Sequence, residues 1–183
     1  MESPLIGKVL VASPMLLDPN FAHAVVLIVQ HDKRGAMGLV LNRPLETSVG
    51  DAWSQVSSVP YPNEDPLYQG GPCEGPLMVI HHDAARAQIE VMPEIYLSSD
   101  ADAVKGLVAD DEEPMKFFVG YSGWTEMQLE RELAEGAWHV SPIEAEQVLS
   151  TPPALWEELV KHLRHMVMPA VDPRLIPPDP SVN

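Results

Sequence analysis

The sequence predicts a single α+β domain in which a mixed sheet is organised around one central hairpin. Phe21–Pro44 contains two runs dense in Val, Ile and Leu, Ala22–Gln30 and Ala36–Leu41. A polar loop that ends in Gly35 separates them, which is typical of a β-hairpin. Both runs are apolar on both faces, so other elements must cover each side. A chain of 183 residues with 45% apolar side chains is long enough for one domain with a sizeable core.

The elements around the hairpin follow from local patterns. Ile6–Ala12 is predicted to form a first strand. The hairpin is expected to end at Asn42-Arg43-Pro44, because proline has no N–H to donate to a ladder. Thr47–Val56 is predicted to form a short helix, since Val49, Trp53 and Val56 share one helical face. Further strands are predicted at Leu67–Gln69, Pro76–His82, Gln88–Leu97 (one or two strands), Met115–Tyr121 and Ala137–Val140.

Three later helices are indicated by caps and apolar stripes. The first is expected to be capped by Ser98 or Ser99 and to bury Val104, Leu107 and Val108. The second should begin at a capping box, Thr125–Gln128, and end at Gly136. The third should follow Thr151–Pro153, with a buried stripe of Leu155 or Trp156, Leu159, Leu163 and Val167.

The domain is predicted to span residues 1–168, and residues 169–183 are predicted to form a Pro-rich C-terminal tail. Five prolines in fifteen residues and almost no periodicity predict an extended segment, either disordered or laid across the surface.

Several features favour a cytoplasmic protein without a membrane partner. No segment approaches the ~20 apolar residues that span a bilayer. Met1–Ile6 lacks the basic and apolar regions of a secretory signal. Cys73 is the single cysteine, which excludes an internal disulfide.

The charge balance argues against direct nucleic-acid binding. The chain has 11 Lys and Arg against 27 Asp and Glu, a formal net charge of −16. Nucleic-acid binding proteins usually present a basic stripe that neutralises phosphates. The densest basic groupings here are Lys33-Arg34 and the pair Lys161 and Arg164, with two charges each. The acidic surface is expected to keep the protein soluble.

The sequence predicts no metal site and no cofactor. His81 and His82 are adjacent, so on a regular strand their side chains leave from opposite faces. His162 and His165 lie three apart on one side of a helix, but no third ligand accompanies them. Cys73 is expected to be a semi-buried filler. Ser122 does not sit in a G-x-S-x-G elbow, because Gly123 follows it directly.

One stretch has the composition of an anion site. The strand Met115–Tyr121 is expected to run into a helix N-terminus, where backbone N–H groups attract negative charge. A phosphate or carboxylate could then bind near Ser122, Gly123 and Thr125, with Asn42 and Arg43 at the end of the central hairpin. The alternative is structural: the glycines make a tight turn, Trp124 fills the core, and Arg43 pairs with a carboxylate.

Several short motifs occur in order between about Gly7 and Trp156. They are Gly7–Pro14 (GKVLVASP), Asp18–Phe21 (DPNF), His31, Gly35–Pro44 (GAMGLVLNRP), Gly120–Trp124 (GYSGW) and Gln128–Glu130 (QLE). In this set and order the chain resembles the YqgE/AlgH family of bacterial proteins. The resemblance implies a mixed bifurcated β-sheet curled into a pseudo-barrel with flanking helices. It brings no established catalytic residues, and one branch of the family carries the name of a transcriptional regulator of exopolysaccharide synthesis.

Three function hypotheses follow. The first is a non-enzymatic binding or regulatory module that acts through a small anionic ligand or a protein partner. The second is a hydrolase or transferase that acts on a small anionic substrate near Arg43 and the Ser122–Thr125 turn. The third is a DNA-binding regulator, which the net charge disfavours. The sequence gives neither the ligand nor the oligomeric state.

Overall fold

The computed structural model describes residues 5–111 and 113–167. Its strands are β1 (Val9–Ala12), β2 (Val25–Asp32), β3 (Gly35–Val40), β4 (Pro44–Ser48), β5 (Pro66–Gln69), β6 (Met78–His81), β7 (Ile89–Met92), β8 (Ile95–Ser98), β9 (Lys116–Val119), β10 (Ser122–Thr125) and β11 (Trp138–Ser141). Its α-helices are α1 (Val49–Val56), α2 (Ala101–Asp110), α3 (Gln128–Ala134), α4 (Ala145–Ser150) and α5 (Leu155–Val167). The predicted tail, 169–183, lies outside the described residues.

The strands form two sheets. The first has the order β10-β3-β2-β1-β11 and is antiparallel throughout. The second has the order β4-β5-β9-β6-β8-β7 and is mixed, because β5 and β9 are parallel. A single mixed α+β domain is therefore confirmed. Over the described residues the sheets do not close into a barrel, so the predicted pseudo-barrel is not confirmed.

The predicted central hairpin is present. β2 and β3 lie inside the first sheet and are joined by a two-residue turn between Asp32 and Gly35, which pair with each other. Every residue from Val25 to Val29 is 0% exposed. Alternate residues of β2 face different apolar clusters, Leu27 with α4 and α5, and Ile28 with Trp124 and the neighbouring aromatic side chains. Both faces of the hairpin are thus covered, as the run of apolar residues requires.

One predicted detail of α1 and one of α2 are wrong. α2 is capped by Asp100, whose Oδ1 accepts from the N–H groups of Asp102 and Ala103, whereas Ser98 belongs to β8. In α1 the predicted face holds for Val49 and Trp53, but Val56 is 63% exposed. The reason is local: Val56 ends the helix, beyond the part of α1 that packs on the sheet.

Two elements of the structure, β4 and α4, are absent from the predicted set. Pro44 does not only end the hairpin but also begins β4, an edge strand, where a residue without an N–H is tolerated. α4 was not predicted. It begins where Gln147 Oε1 accepts from the N–H of Glu144, a glutamate in place of the usual hydroxyl cap.

None of the helices in the described part of the chain has the length and apolar run that a membrane crossing requires.

Candidate functional site

A cavity of about 570 Å³ lies at the end of the central hairpin, and we call it the Arg43 cavity. It is lined by residues from the loop before β2, the end of β3, the start of β4 and the segment after β5: Asn20, Val40, Asn42, Arg43, Pro44, Leu45, Gln69, Gly71 and Pro72. Its lining therefore combines an arginine, three amide side chains and several apolar groups.

Asn42 fixes the end of β3 to the start of β2. Its Oδ1 accepts from the Val25 N–H at 2.9 Å, and its Nδ2 donates to the His23 carbonyl oxygen at 2.8 Å. The carboxamide thus replaces ladder contacts where the two strands separate. A side-chain amide makes both contacts because its oxygen accepts and its nitrogen donates.

Arg43 holds the loop before β2 against the cavity. One of its terminal nitrogens donates to the Pro19 carbonyl oxygen at 3.0 Å, and the other donates to the Ala22 carbonyl oxygen at 2.9 Å. These two bonds leave the remaining guanidinium N–H groups without a described protein acceptor. The side chain is only partly buried, so these N–H groups are within reach of a ligand.

The charge of Arg43 is not offset by a neighbouring carboxylate of the described part of the chain. Among residues 5–111 and 113–167, no carboxylate oxygen lies within 4.0 Å of its guanidinium. The described residues that line the cavity include no Asp or Glu. The chain has a net charge of −16, yet the one charged side chain among these described lining residues is a cation.

Backbone forms one wall of the cavity, at Gly71. Its φ is +155°, and a Cβ there would lie 2.3 Å from the Tyr121 carbonyl oxygen and 2.4 Å from Ser122 Oγ. Only glycine fits this approach. Behind it, Ser122 Oγ donates to the Gly70 carbonyl oxygen at 3.1 Å, which fixes the wall from the interior.

The structure brings Asn42 and Arg43 together in this cavity but does not bring Ser122, Gly123 or Thr125 into its lining. The predicted strand-to-helix turn at these three residues is wrong, since they form β10 and pair with β3. Ser122 is fully buried, whereas Gly123 and Thr125 are exposed. α3 begins at Gln128, after Met127 in the left-handed conformation.

A larger cavity, about 790 Å³, has the opposite electrostatic character. Arg86, the one arginine among its described lining residues, pairs with Asp83 and with Asp110, the latter at 2.6 Å. Further carboxylates, those of Glu94, Asp111 and Glu113, also line it. We call it the acidic cavity. Its excess negative charge opposes the binding of an anion.

His81 and Ser98, at the edge of the acidic cavity, form a closed hydrogen-bond set. The Ser98 hydroxyl donates to the Arg86 carbonyl oxygen at 2.5 Å, so His81 Nε2 donates to Ser98 Oγ at 2.8 Å. His81 Nδ1 accepts from the Asp83 N–H at 3.1 Å. This tautomer is neutral, and burial lowers the pKa of His81. The imidazole thus does not activate the serine as a nucleophile.

The predicted histidine pairs have different surroundings. His81 is buried and His82 is half-buried, with its Nδ1 2.7 Å from the Glu94 carbonyl oxygen. His162 and His165 are exposed on α5. Across the described part of the chain, no group of three or more His, Cys, Asp or Glu side chains is placed to hold a metal ion.

Lys116 was not predicted from the sequence to be a notable residue, and it is 3% exposed. Its Nζ donates to the Leu41 carbonyl oxygen at 2.8 Å and lies 4.0 Å from the centroid of the Tyr68 ring. A desolvated cation–π contact contributes about 2 kcal/mol, whereas removing an ammonium from water costs several kcal/mol. Burial therefore dominates and lowers the pKa of Lys116 to about 7. The signal in the sequence was a lysine inside the apolar run MKFFVGY.

Fold and site together define an α+β protein of two sheets, with an arginine-bearing cavity at the end of its central hairpin. The AlgH-like family model (DUF179) matches residues 9–167, and the chain belongs to this family. It is 37% identical over 158 residues to a UPF0301 protein of Alcanivorax borkumensis, an alignment that covers 82% of this chain and 84% of that protein. It is 38% identical over 206 aligned positions to a UPF0301 protein of Streptomyces coelicolor, covering 99% and 96%.

The fold is also similar to a solved structure. The solution structure of the AlgH protein from Pseudomonas aeruginosa matches with a TM-score of 0.74 and 29% identity, covering 94% of this chain and 92% of that one. The resemblance to the YqgE/AlgH family is thus confirmed. The names of these relatives state no activity, substrate or ligand, and the function of the family is unknown.

Proposed function

We propose that the protein is a non-enzymatic cytoplasmic binding module whose Arg43 cavity takes a small anion, a carboxylate or a phosphate. One observation carries this proposal. A guanidinium with N–H groups to spare borders a cavity without acidic lining residues, in a chain with a net charge of −16. Because an arginine stays charged in proteins, an anion from solution is its natural partner.

The size and lining of the cavity support a small organic anion. A volume of about 570 Å³ lies within the range of small-molecule sites. The amide groups of Asn20, Asn42 and Gln69 supply polar contacts, and Gln69 Nε2 is already bound to the Gly71 carbonyl oxygen at 2.9 Å. Val40, Leu45 and Pro72 supply apolar surface. A ligand with one anionic group and a small apolar body matches this combination.

Binding without turnover is supported by the chemistry of the lining. The described residues that line the cavity include no Ser, Thr, Cys, His, Lys, Tyr, Asp or Glu, so none of them is a conventional nucleophile or general base. The predicted hydroxyl, that of Ser122, is turned away toward the Gly70 carbonyl oxygen. The proposed cytoplasmic location is supported by a single cysteine, which leaves no internal disulfide.

The test is ligand-dependent stability in sodium phosphate and sodium acetate, with ionic strength held constant by sodium chloride. At ten times its Kd, a ligand stabilises the folded state by about 1.4 kcal/mol, which raises the Tm by roughly 3–6 °C. We expect this shift in the native chain and its loss in Arg43→Gln. Arg34→Gln, which removes an exposed arginine of the hairpin turn, is the matched control and should keep the shift.

A second measurement does not depend on the variant. In the native chain, phosphate or acetate should move the ¹H–¹⁵N signals of Arg43 Nε and of the Gln69 and Gly71 amides, in a saturable manner. An equal Tm shift in folded Arg43→Gln, or titration without saturable changes at these signals, would refute the proposal.

A further inference from the structure

The amino group of Lys116 lies outside the Arg43 cavity, and three distant segments of the chain meet there. Its Nζ is 2.8 Å from the Leu41 carbonyl oxygen, just after β3, and 3.3 Å from the Val148 carbonyl oxygen in α4. It also contacts the hydroxyl of Thr151, between α4 and α5. One nitrogen therefore ties the α4–α5 junction, residues 151–154, to the end of the central hairpin.

These partners suit the amine in either protonation state. An ammonium donates to all three oxygens, and Thr151 Oγ1 then gives its own hydrogen to the carbonyl oxygen of Gln147 or Val148, each 3.1 Å away. A neutral amine donates to two carbonyl oxygens and accepts the hydrogen of Thr151 instead. Loss of the proton therefore leaves no buried polar group without a partner.

Among the residues that the structure describes, no carboxylate oxygen lies within 4.0 Å of this amino group to offset a positive charge. On β5 the titratable group in contact is Tyr68, through its ring, and on β6 the residue paired with Lys116 is Ile80. The acidic side chains on or beside the helices packed nearby are exposed, namely Glu144, Glu146, Glu157 and Glu158. Burial is accordingly the cause that lowers the pKa of Lys116 to about 7.

We propose that Lys116 is a proton-controlled release point: a proton gained by its amino group favours detachment of the α4–α5 junction from the end of β3. In the closed structure Lys116 is buried, and its amine is hydrogen-bonded to Leu41, Val148 and Thr151. In the released state it is hydrated and holds its proton as an ordinary lysine does. Protons therefore favour release.

The equilibrium constant for release changes with pH in one direction only. The pKa of Lys116 is about 7 in the closed structure, against an ordinary value of 10.5. Between these values the released state holds more protons, so the equilibrium constant for release rises as the pH falls toward 7 and levels off below that. From pH 9 to pH 7 the rise is about fiftyfold when the amine becomes fully hydrated.

Native-state hydrogen exchange on the full chain measures this release directly. The reporters are the N–H groups of Val148, Thr151 and Leu155, which donate to the carbonyl oxygens of Glu144, Gln147 and Pro152. After correction for intrinsic exchange rates, their protection should fall at least tenfold from pH 9 to pH 7 in the native chain. In Lys116→Met it should not change with pH. Lys105→Met, which removes an exposed lysine of α2, is the control and should behave as the native chain.

Two results would overturn the proposal. One is a pH profile at these reporters that is the same in Lys116→Met as in the native chain. The other needs no variant: the ¹³Cε signal of Lys116 in the native chain should titrate with a midpoint near 7, and a midpoint above 10 contradicts a buried uncompensated amine. The second measurement decides the matter if Lys116→Met does not fold.

Discussion

Arg43 and Lys116 are two cations of an acidic chain that have no carboxylate partner within 4.0 Å among the described residues, and their surroundings differ. The amino group of Lys116 is enclosed, and protein oxygens take up its donors. Arg43 is half-buried and gives two bonds to backbone carbonyl oxygens, while the rest of its guanidinium borders a cavity.

The difference between Lys116 and Arg43 shows that a cation without a carboxylate partner can have either a structural or a binding role. Where protein oxygens accept from every donor and water is excluded, burial destabilises the charged form, and the pKa of a lysine falls. Where donors remain and a cavity is open, an arginine cannot lose its proton and retains the capacity to bind an anion. The number of unmet donors, rather than the absence of an ion pair, distinguishes a structural cation from a binding site.

The largest expected effect concerns the stability of the whole protein as a function of pH. The pKa of Lys116 is about 7 when folded and 10.5 when exposed, so the unfolded chain holds an extra proton between these values. Stability rises as the pH rises through this window, by at most about 5 kcal/mol, and the contribution is constant below about pH 7. Urea unfolding at pH 6 to 10 should show this rise as a difference between the native chain and Lys116→Met.

The difference between the two proteins is the quantity to compare, because pH effects from groups other than Lys116 are common to both and cancel. Lys105→Met should give no such difference from the native chain. A constant difference across the range would mean that Lys116 keeps its charge in the folded protein, and the contrast with Arg43 would then fail.

A smaller effect is expected at Asn42, which separates the shape of the Arg43 cavity from its charge. Asn42→Ala leaves the buried Val25 N–H and the His23 carbonyl oxygen without their partner, which costs about 1–3 kcal/mol. Asn42→Asp keeps the acceptor for Val25 but turns a carboxylate oxygen toward the His23 carbonyl oxygen, so it should also be destabilised. It also places a carboxylate beside Arg43, so stabilisation by phosphate should disappear.

Urea unfolding with and without phosphate measures both quantities for the two variants. If Asn42→Asp were stabilised by phosphate as much as the native chain, the positive charge of the cavity would not be what attracts the anion. The site would then have to be sought elsewhere on the molecule.

The central hairpin could be predicted from sequence because its signal is local and redundant. Val25–Val29 is apolar without interruption, and Gly35 marks the second strand. β10 could not be predicted, because its pairing of Trp124 with Ala36 spans nearly half the chain. The local capping signal at Thr125 is real, since its N–H donates to Gln128 Oε1 at 3.1 Å, but the helix begins only at Gln128.

The candidate site could likewise be predicted only in part, from its local sequence features. Asn42 and Arg43 could be singled out by their position at the end of an apolar strand. Their partners, including the Pro19 carbonyl oxygen and the wall at Gly71, come from loops that only the tertiary structure brings together. Lys116 was missed for a related reason. A lysine at the start of a strand usually extends to solvent, and here α4 closes over it.

The smallest expected effect is at Arg34, an exposed arginine that pairs with Asp32 in the hairpin turn. It is 84% exposed and its terminal nitrogen lies 2.9 Å from Asp32 Oδ2. Hydrogen bonds from Arg34 hold the pKa of Asp32 below its usual range, but solvent screens the pair. Arg34→Gln should leave the Tm within about 1 °C of the native value at neutral pH and in high salt alike. Differential scanning calorimetry measures the Tm of both proteins. A loss of several degrees would show that the ion pair with Asp32 stabilises the protein strongly, and the distinction drawn here between cations by their unmet donors would then fail.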